Sequence, residues 1–462
     1  MGLGLFGGGA GAARYFAGLG AEVTVTDMAD AKKLARSVAA LNGLGIHFVL
    51  GEHREEDFTE ADLVVANQAV RPDNRLLLAA REAGTPVATE TGLALALNRS
   101  PWLGVTGSSG KSTTTALLAA MLRRRFPDAM MGGNIGGDLL TRVEGRDEDA
   151  PLAVELSSFQ LTWMADDLAS GRIPPPRVAV VTNLSPNHLD WHRDMDEYVE
   201  AKRNLIRFQT RADWTVLNVD DPVLRQWAKR APGRVIRCGY DNPGGDDACH
   251  VDDGCIALRL GGLEEARVPL TALRLLGRHN VYNAVEAVAA AYVVTGDDTI
   301  GEALVDFSGL EHRLERAAAA GGKTFVNDSK STTPESAITA LRAMDGPVVL
   351  IAGGYDKKSP FEELGQAIQE RASGLVLLGE AGPRLRAAVE AAADRRPETA
   401  EPLALEDGGD DFDQAVETAW RMTPGGGTVL LSPACASWGM FTNYEERGAR
   451  FKAIAERLGG QC

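Results

Sequence analysis

The stretch WLGVTGSSGKSTTTALL, residues 102–118, limits the fold more than any other part of the chain. A short apolar run, suited to a buried strand, passes through Gly107, Ser108, Ser109 and Gly110 into Lys111, Ser112, Thr113 and a helical segment. That arrangement gathers backbone N–H groups and the positive end of a helix at one point, where a phosphate can be held. Lys111 would neutralise the β- and γ-phosphates and the Ser112 hydroxyl would ligate Mg²⁺, so ATP is the favoured ligand. Val105 stands where a strict Walker A motif has its first glycine. The plainer alternative is a glycine turn with a capping serine.

Around this loop, short apolar runs alternate with alanine-rich amphipathic segments, the pattern of parallel sheets with crossover helices. A first α/β region, residues 1–95, contains AEVTVTD, DLVVAN and TPVAT as strands and Ala31 to Leu41 and Asn74 to Ala83 as helices. A second, residues 96–310, runs from WLGVTG through PLAVELSS and RVAVVTN to a helix from Asn280 to Val294. A third, residues 311–462, has TFVND, PVVLIAGG, GLVLLG and GTVLLSPA as strands. The stretches Gly239 to Gly254 and Asp394 to Asp411 are expected to be surface loops, although the carboxylates and His250 of the first could bind a cation.

With 462 residues, several domains are expected. A net charge of −16 argues against non-specific nucleic-acid binding, which needs a basic field. The five cysteines form no C-x-x-C pair and fit reduced thiols. With no signal-like or membrane-spanning segment in view, the expectation is a cytoplasmic protein with no membrane partner; separately, a monomer is expected.

The chain opens MGLGLFGGGAGAARYF, and Gly2, Gly4 and Gly7 match a G-x-G-x-x-G dinucleotide fingerprint, with Asp27 about twenty residues on. On this evidence alone a dehydrogenase is one reading. No strand precedes the turn, so the natural start is expected about six to ten residues upstream, enough for a β-strand.

Two further strand ends carry chemistry. Glu155 ends LAVE and would emerge at the ligand-binding edge of the sheet, where a helix-capping or salt-bridge role and Mg²⁺ binding are both open and the phosphate loop upstream favours Mg²⁺. His188, in LSPNHLDWH, follows the next strand and could be structural or a metal ligand, with His192 a turn further out. Lys202 interrupts a helical stripe of Tyr198, Leu205 and Ile206. Either its stem packs while the ammonium snorkels to water, or the amine is paired or altered within the site.

Taken together, TGSSGKSTTT, VELSSFQL, NHLDWH, YVEAKRNL and GRHNVYNAVEA resemble the ATPase core of the Mur ligases. NDSKSTTPESAITAL, GGYDKKSPFEEL and LSPACASWGMFTNYEERGARF resemble the D-glutamate-adding branch of that family. The resemblance implies three α/β domains: Rossmann-like for UDP, a central P-loop ATPase, and a Rossmann-like C-terminal domain. They would close around ATP, UDP-MurNAc-L-alanine and D-glutamate, and the reaction would form an amide through an acyl phosphate. It further implies one Mg²⁺ on Ser112 and Glu155 and a second on His188 and on Lys202 as a CO₂-derived carbamate. ATP would also meet Asn280, Asn283, Arg313 and Asp328. The UDP substrate would meet Leu5, Phe6, Asp27, Asn134 and His188, and D-glutamate would meet Thr332, Lys357, Ser437 and Tyr444, with Lys358 as the alternative lysine. A sister ligase with another acceptor amino acid, or a non-catalytic nucleotide-binding scaffold, are the remaining readings. In ANQAV, residues 66–70, the chain departs from the family's Pro-Gly turn.

Overall fold

A computed structural model describes residues 1–4, 8–189 and 191–459. Leu5, Phe6, Gly7 and Cys462 lie outside the described residues. The chain divides into two compact units, residues 1–273 with 281–307, and residues 274–280 with 308–462.

The first unit is built on a nine-stranded sheet among the described residues. Trp102–Thr106, buried along its whole length, sits between Leu152–Glu155 and Val178–Val181, both parallel to it. The chain order reverses at this strand: Met130–Gly133 lies beyond Leu152–Glu155 on one side, and Trp214–Asn218 and Arg234–Cys238 follow Val178–Val181 on the other. Open α/β sheets bind ligands at such a reversal, outside the strand C-termini.

The expected loop from Gly239 to Gly254 is corrected in part. Ala248–Asp252 is a strand, parallel to Arg234–Cys238 and antiparallel to Cys255–Leu260. His250 is buried in it. The aspartates flanking this strand hid a short apolar core, Ala248 and Cys249, that becomes legible only against its partner strands. The same correction applies to Asp394 to Asp411, where Ala404–Asp407 adds a parallel edge to Gly374–Leu378.

At the N-terminus, Met1 and Gly2 bond to strands on either side of them. Met1 donates from its amine to Val65 O at 2.9 Å and accepts from Asn67 N at 2.9 Å, while Gly2 N donates to Thr26 O at 2.8 Å. These bonds stitch the pair Thr24–Asp27 and His47–Leu50 to the pair Val64–Val65 and Val87–Ala88. The ANQAV departure has a local role: Ala69 O and Val70 O accept from the indoles of Trp191 and Trp163, both at 3.0 Å.

The second unit holds a six-stranded sheet among the described residues, in the order Glu315–Ala320, Lys323–Asn327, Thr428–Leu431, Val348–Gly353, Gly374–Leu378 and Ala404–Asp407. All but the first pair are parallel. Among the described residues no helix is long and apolar enough to cross a membrane, and Cys238, Cys249, Cys255 and Cys435 are free thiols.

Candidate active site

The phosphate loop is set by its two end glycines. Gly107 has φ 149°, and a Cβ there would lie 2.0 Å from Thr182 Oγ1; Gly110 has φ 84°, and a Cβ would lie 2.3 Å from Asn283 Oδ1. Gly110 is also the N-cap of helix Lys111–Arg125, so no side chain caps it. This removes the capping-serine alternative and leaves first-turn N–H groups for an external anion. Replacing Gly110 with alanine should raise the ATP KM about tenfold and cost about 1–3 kcal/mol of stability. Wild-type ATP kinetics in that variant would show that the loop does not need this backbone.

The neighbouring strand holds the loop from below. Ser108 N donates to Asn183 O at 2.8 Å, Ser109 N to Asn183 Oδ1 at 2.9 Å, and Thr182 Oγ1 to Ser109 O at 2.6 Å. Ser108 Oγ lies 2.8 Å from the Tyr198 hydroxyl. Thr182 and Asn183, at the end of RVAVVTN, owe this role to the pairing of their strand with the loop strand. Lys111 Nζ folds over the loop to Gly107 O at 3.1 Å and Ser108 O at 3.0 Å.

Three candidate ligands lie at or after strand ends or on a helix of the same unit. Glu155 is buried at the end of its strand; Oε1 accepts from Asn134 Nδ2 at 2.9 Å, and Oε2 is buried with no partner. An unpaired buried carboxylate oxygen is costly and fits a hard cation. Lys202 does not snorkel. It is 1% exposed, and its amine donates to Gly107 O at 2.7 Å and Thr106 Oγ1 at 3.3 Å. Burial pushes its pKa well below the usual lysine value, the Lys111 cation adds to this, and Glu155 opposes it. His188 is exposed just past its strand, with φ 55° and its ring 4.9 Å from Phe159. His192, by contrast, is buried, with Nε2 2.8 Å from Ser158 Oγ.

Asp27 accepts from Gly4 N at 3.2 Å and Ala29 N at 2.8 Å, so it closes the glycine turn from the end of its strand. Asn280 and Asn283 lie on helix Arg278–Thr295, where Asn280 Nδ2 donates to Leu276 O at 2.7 Å and Asn283 Oδ1 accepts from Thr114.

In the second unit, the candidates follow the C-terminal ends of three adjacent parallel strands. NDSKST follows Lys323–Asn327, ACAS follows Thr428–Leu431, and the GYDKK turn follows Val348–Gly353. Backbone bonds tie them together: Ala434 N to Ser331 O at 3.0 Å and Tyr355 N to Ala436 O at 3.1 Å. Lys357 Nζ lies 4.9 Å over the Trp438 ring, whereas Lys358 pairs with Asp356 at 3.2 Å. Ser437 is buried and Thr332 half-buried. Tyr444 is half-buried, with Lys330 over its ring at 5.7 Å, and burial pushes its hydroxyl up to about 12. Arg313 has a buried Nε with no partner.

Two family models match the chain, the Mur ligase middle domain over residues 105–291 and the Mur ligase glutamate ligase domain over residues 312–435. A protein of Symbiobacterium thermophilum named UDP-N-acetylmuramoylalanine–D-glutamate ligase is 40% identical over 447 residues, 96% of this chain and 95% of that protein. The chain belongs to the Mur ligase family. A protein of the same name from Roseiflexus sp. is 40% identical over 99% of this chain and 97% of its own. The fold of this Mur ligase is shared with a pseudomurein peptide ligase type C from Methanothermus fervidus (TM-score 0.57, 17% identity, 97% of each chain). It is shared also with a MurF ligase from Thermotoga maritima solved with ADP (TM-score 0.54, 18% identity, 86% of this chain and 94% of that one).

Within this Mur ligase, Asp328 is a buried clamp. Its Oδ2 accepts from Ser331 Oγ at 2.5 Å and Ser432 Oγ at 2.8 Å, and its Oδ1 from Leu314 N at 3.2 Å. Burial pushes its pKa up to about 6 from 3.8, against those hydrogen bonds and Arg313. An acid whose folded pKa is raised holds its proton more tightly when folded, so stability is highest below the unfolded value and falls as pH rises to the folded one. Denaturant unfolding should therefore show a stability contribution lost between about pH 4 and pH 6, and Asp328→Asn should lack that slope. An unchanged slope in the variant would remove Asp328 as its source.

Proposed function

We propose that this chain is an ATP-dependent ligase that joins D-glutamate to UDP-N-acetylmuramoyl-L-alanine through an acyl phosphate, in the synthesis of peptidoglycan precursors. The observation that carries the reading is near-full-length 40% identity to proteins named for that reaction. The phosphate loop beside Glu155, whose buried Oε2 has no partner, supports it. The regions would be residues 1–95 for the UDP substrate, 96–310 for ATP and 311–462 for the amino acid. The protein would act as a cytoplasmic monomer.

The substrate carboxylate must approach an anionic γ-phosphate, so charge has to be neutralised and the reactants held in line. Lys111 and the loop N–H groups supply part of that neutralisation, and Mg²⁺, held by Ser112 and Glu155, would supply the rest. His188 and Lys202 would hold a second Mg²⁺, Lys202 as a carbamate: its neutral amine, favoured by burial, attacks CO₂, forms an N–C bond and loses a proton. Asp27 and Asn134 would face the UDP substrate, and Asn283 the nucleotide base. In the second unit, Lys357 would meet a carboxylate of D-glutamate, with Thr332, Ser437 and Tyr444 as its polar neighbours. Lys357 is favoured over Lys358, whose amine is already paired with Asp356.

The test is phosphate release from ATP with UDP-MurNAc-L-alanine, offering D-glutamate, L-glutamate, L-alanine, meso-diaminopimelate and D-alanyl-D-alanine separately. Release with D-glutamate alone is expected. Release with another acceptor would make the chain a sister ligase.

A further inference from the structure

Behind the phosphate loop, helix Arg278–Thr295 buries Glu286, which is 1% exposed with no partner on Oε1 and no ion pair among the described residues. Its Oε2 lies 3.5 Å from Thr114 Oγ1, on the phosphate-loop helix, and the same hydroxyl lies 3.2 Å from Asn283 Oδ1. That hydroxyl has one proton, and two oxygens compete for it. If Glu286 is ionised, the carboxylate draws the Thr114 proton away from Asn283 Oδ1. If Glu286 is neutral, its O–H donates to Thr114 and Thr114 donates to Asn283, so the three side chains are linked in one direction. Asn283 Oδ1 in turn packs where a Cβ of Gly110 would be.

We propose that Glu286 is a positioning residue that, as the neutral acid, fixes the Asn283 carboxamide against the phosphate loop through Thr114 and so sets nucleotide affinity. This rests on the reading of the loop as an ATP site. The titratable groups facing Glu286 are the thiols of Cys238 and Cys249 on the adjacent strands, with Cys249 Sγ donating to Val285 O at 3.4 Å. Burial holds the Cys238 thiol well above its ordinary value. On the phosphate-loop helix, Lys111 turns its amine to Gly107 O and Ser108 O. Burial pushes Glu286 itself up to about 8, only partly opposed by the Thr114 bond.

The test is calorimetric titration of the full chain with MgATP from pH 7.0 to 9.5, with circular dichroism to verify folding at each pH. Wild-type Kd should rise about tenfold as Glu286 ionises, the scale of one hydrogen bond. Glu286→Gln, whose amide donates without titrating, should keep the low-pH Kd throughout. Glu286→Ala and Thr114→Val should bind about tenfold more weakly at every pH. A flat wild-type profile, or a Glu286→Gln variant as weak as Glu286→Ala, overturns the proposal while leaving the ATP reading intact. Absence of ATP binding by the wild type overturns both.

Discussion

Replacing Lys202 with methionine should leave the protein folded and remove its turnover. The two hydrogen bonds from the amine, to Gly107 O and Thr106 Oγ1, are worth about 1 kcal/mol each. Against this, methionine matches the stem in length and relieves the burial of an amine that has no carboxylate within ion-pair distance among the described residues. The expected stability change is therefore within about 2 kcal/mol, a few degrees in Tm. Catalysis has no such compensation, because an apolar side chain can neither donate nor form a carbamate. D-glutamate-dependent phosphate release should fall about 10³-fold, the scale of losing one electrostatic stabiliser of the transition state. Thermal unfolding and turnover measured on one preparation decide the matter. A folded variant within tenfold of wild type would show that Lys202 serves only packing, and the carbamate reading would fail. In degassed buffer the wild type should slow, and bicarbonate should restore it.

Much of this site is legible in the sequence because its parts obey local rules. Glycines at φ 84° and φ 149° are needed where the loop closes, and Glu155 lies at the end of an apolar run, so loop and carboxylate can be read from their own neighbours. Lys202 was visible as a charge in an apolar stripe, but helical periodicity does not say whether the stem continues to water, and the bond to Gly107 O depends on another strand. Thr182 and Asn183 carry no local signature. Their role comes from a register of Leu103↔Val178 through Thr106↔Val181, which sets them beside the phosphate loop. The strands Ala248–Asp252 and Ala404–Asp407 were hidden for a related reason: each is short, flanked by acids, and ordered by pairing with a neighbour.

Arg447 is the clearest residue that local reasoning could not find, and its removal should strongly destabilise the second unit. In NYEERGARF it reads as one charge among several on a solvated helix. Instead it is 1% exposed, with Nε donating to Ser329 Oγ at 3.0 Å, Nη2 to Ser329 O at 2.8 Å and Nη1 to Cys435 O at 3.1 Å. One guanidinium thus joins helix Tyr444–Gly459 to the two loops that carry Thr332 and Ser437. Burial lowers its pKa to about 10, with Cys435 and Asp328 opposing the shift, so it remains a cation at neutral pH. Arg447→Met would strand two buried carbonyls, at about 1–3 kcal/mol each, offset in part by relief of the desolvated charge. The net loss should be about 3 kcal/mol. Arg447→Lys keeps the charge, but a single ammonium cannot span acceptors on two loops in the fixed fork of a guanidinium, so it should recover less than half of that loss. Because those loops flank the proposed amino-acid site, the lysine variant should raise the KM for D-glutamate about tenfold and leave the KM for ATP near wild type. Equal changes in both constants would mean that Arg447 supports the fold at large, and a lysine variant with wild-type Tm would show that its charge, not its fork, is what the loops require.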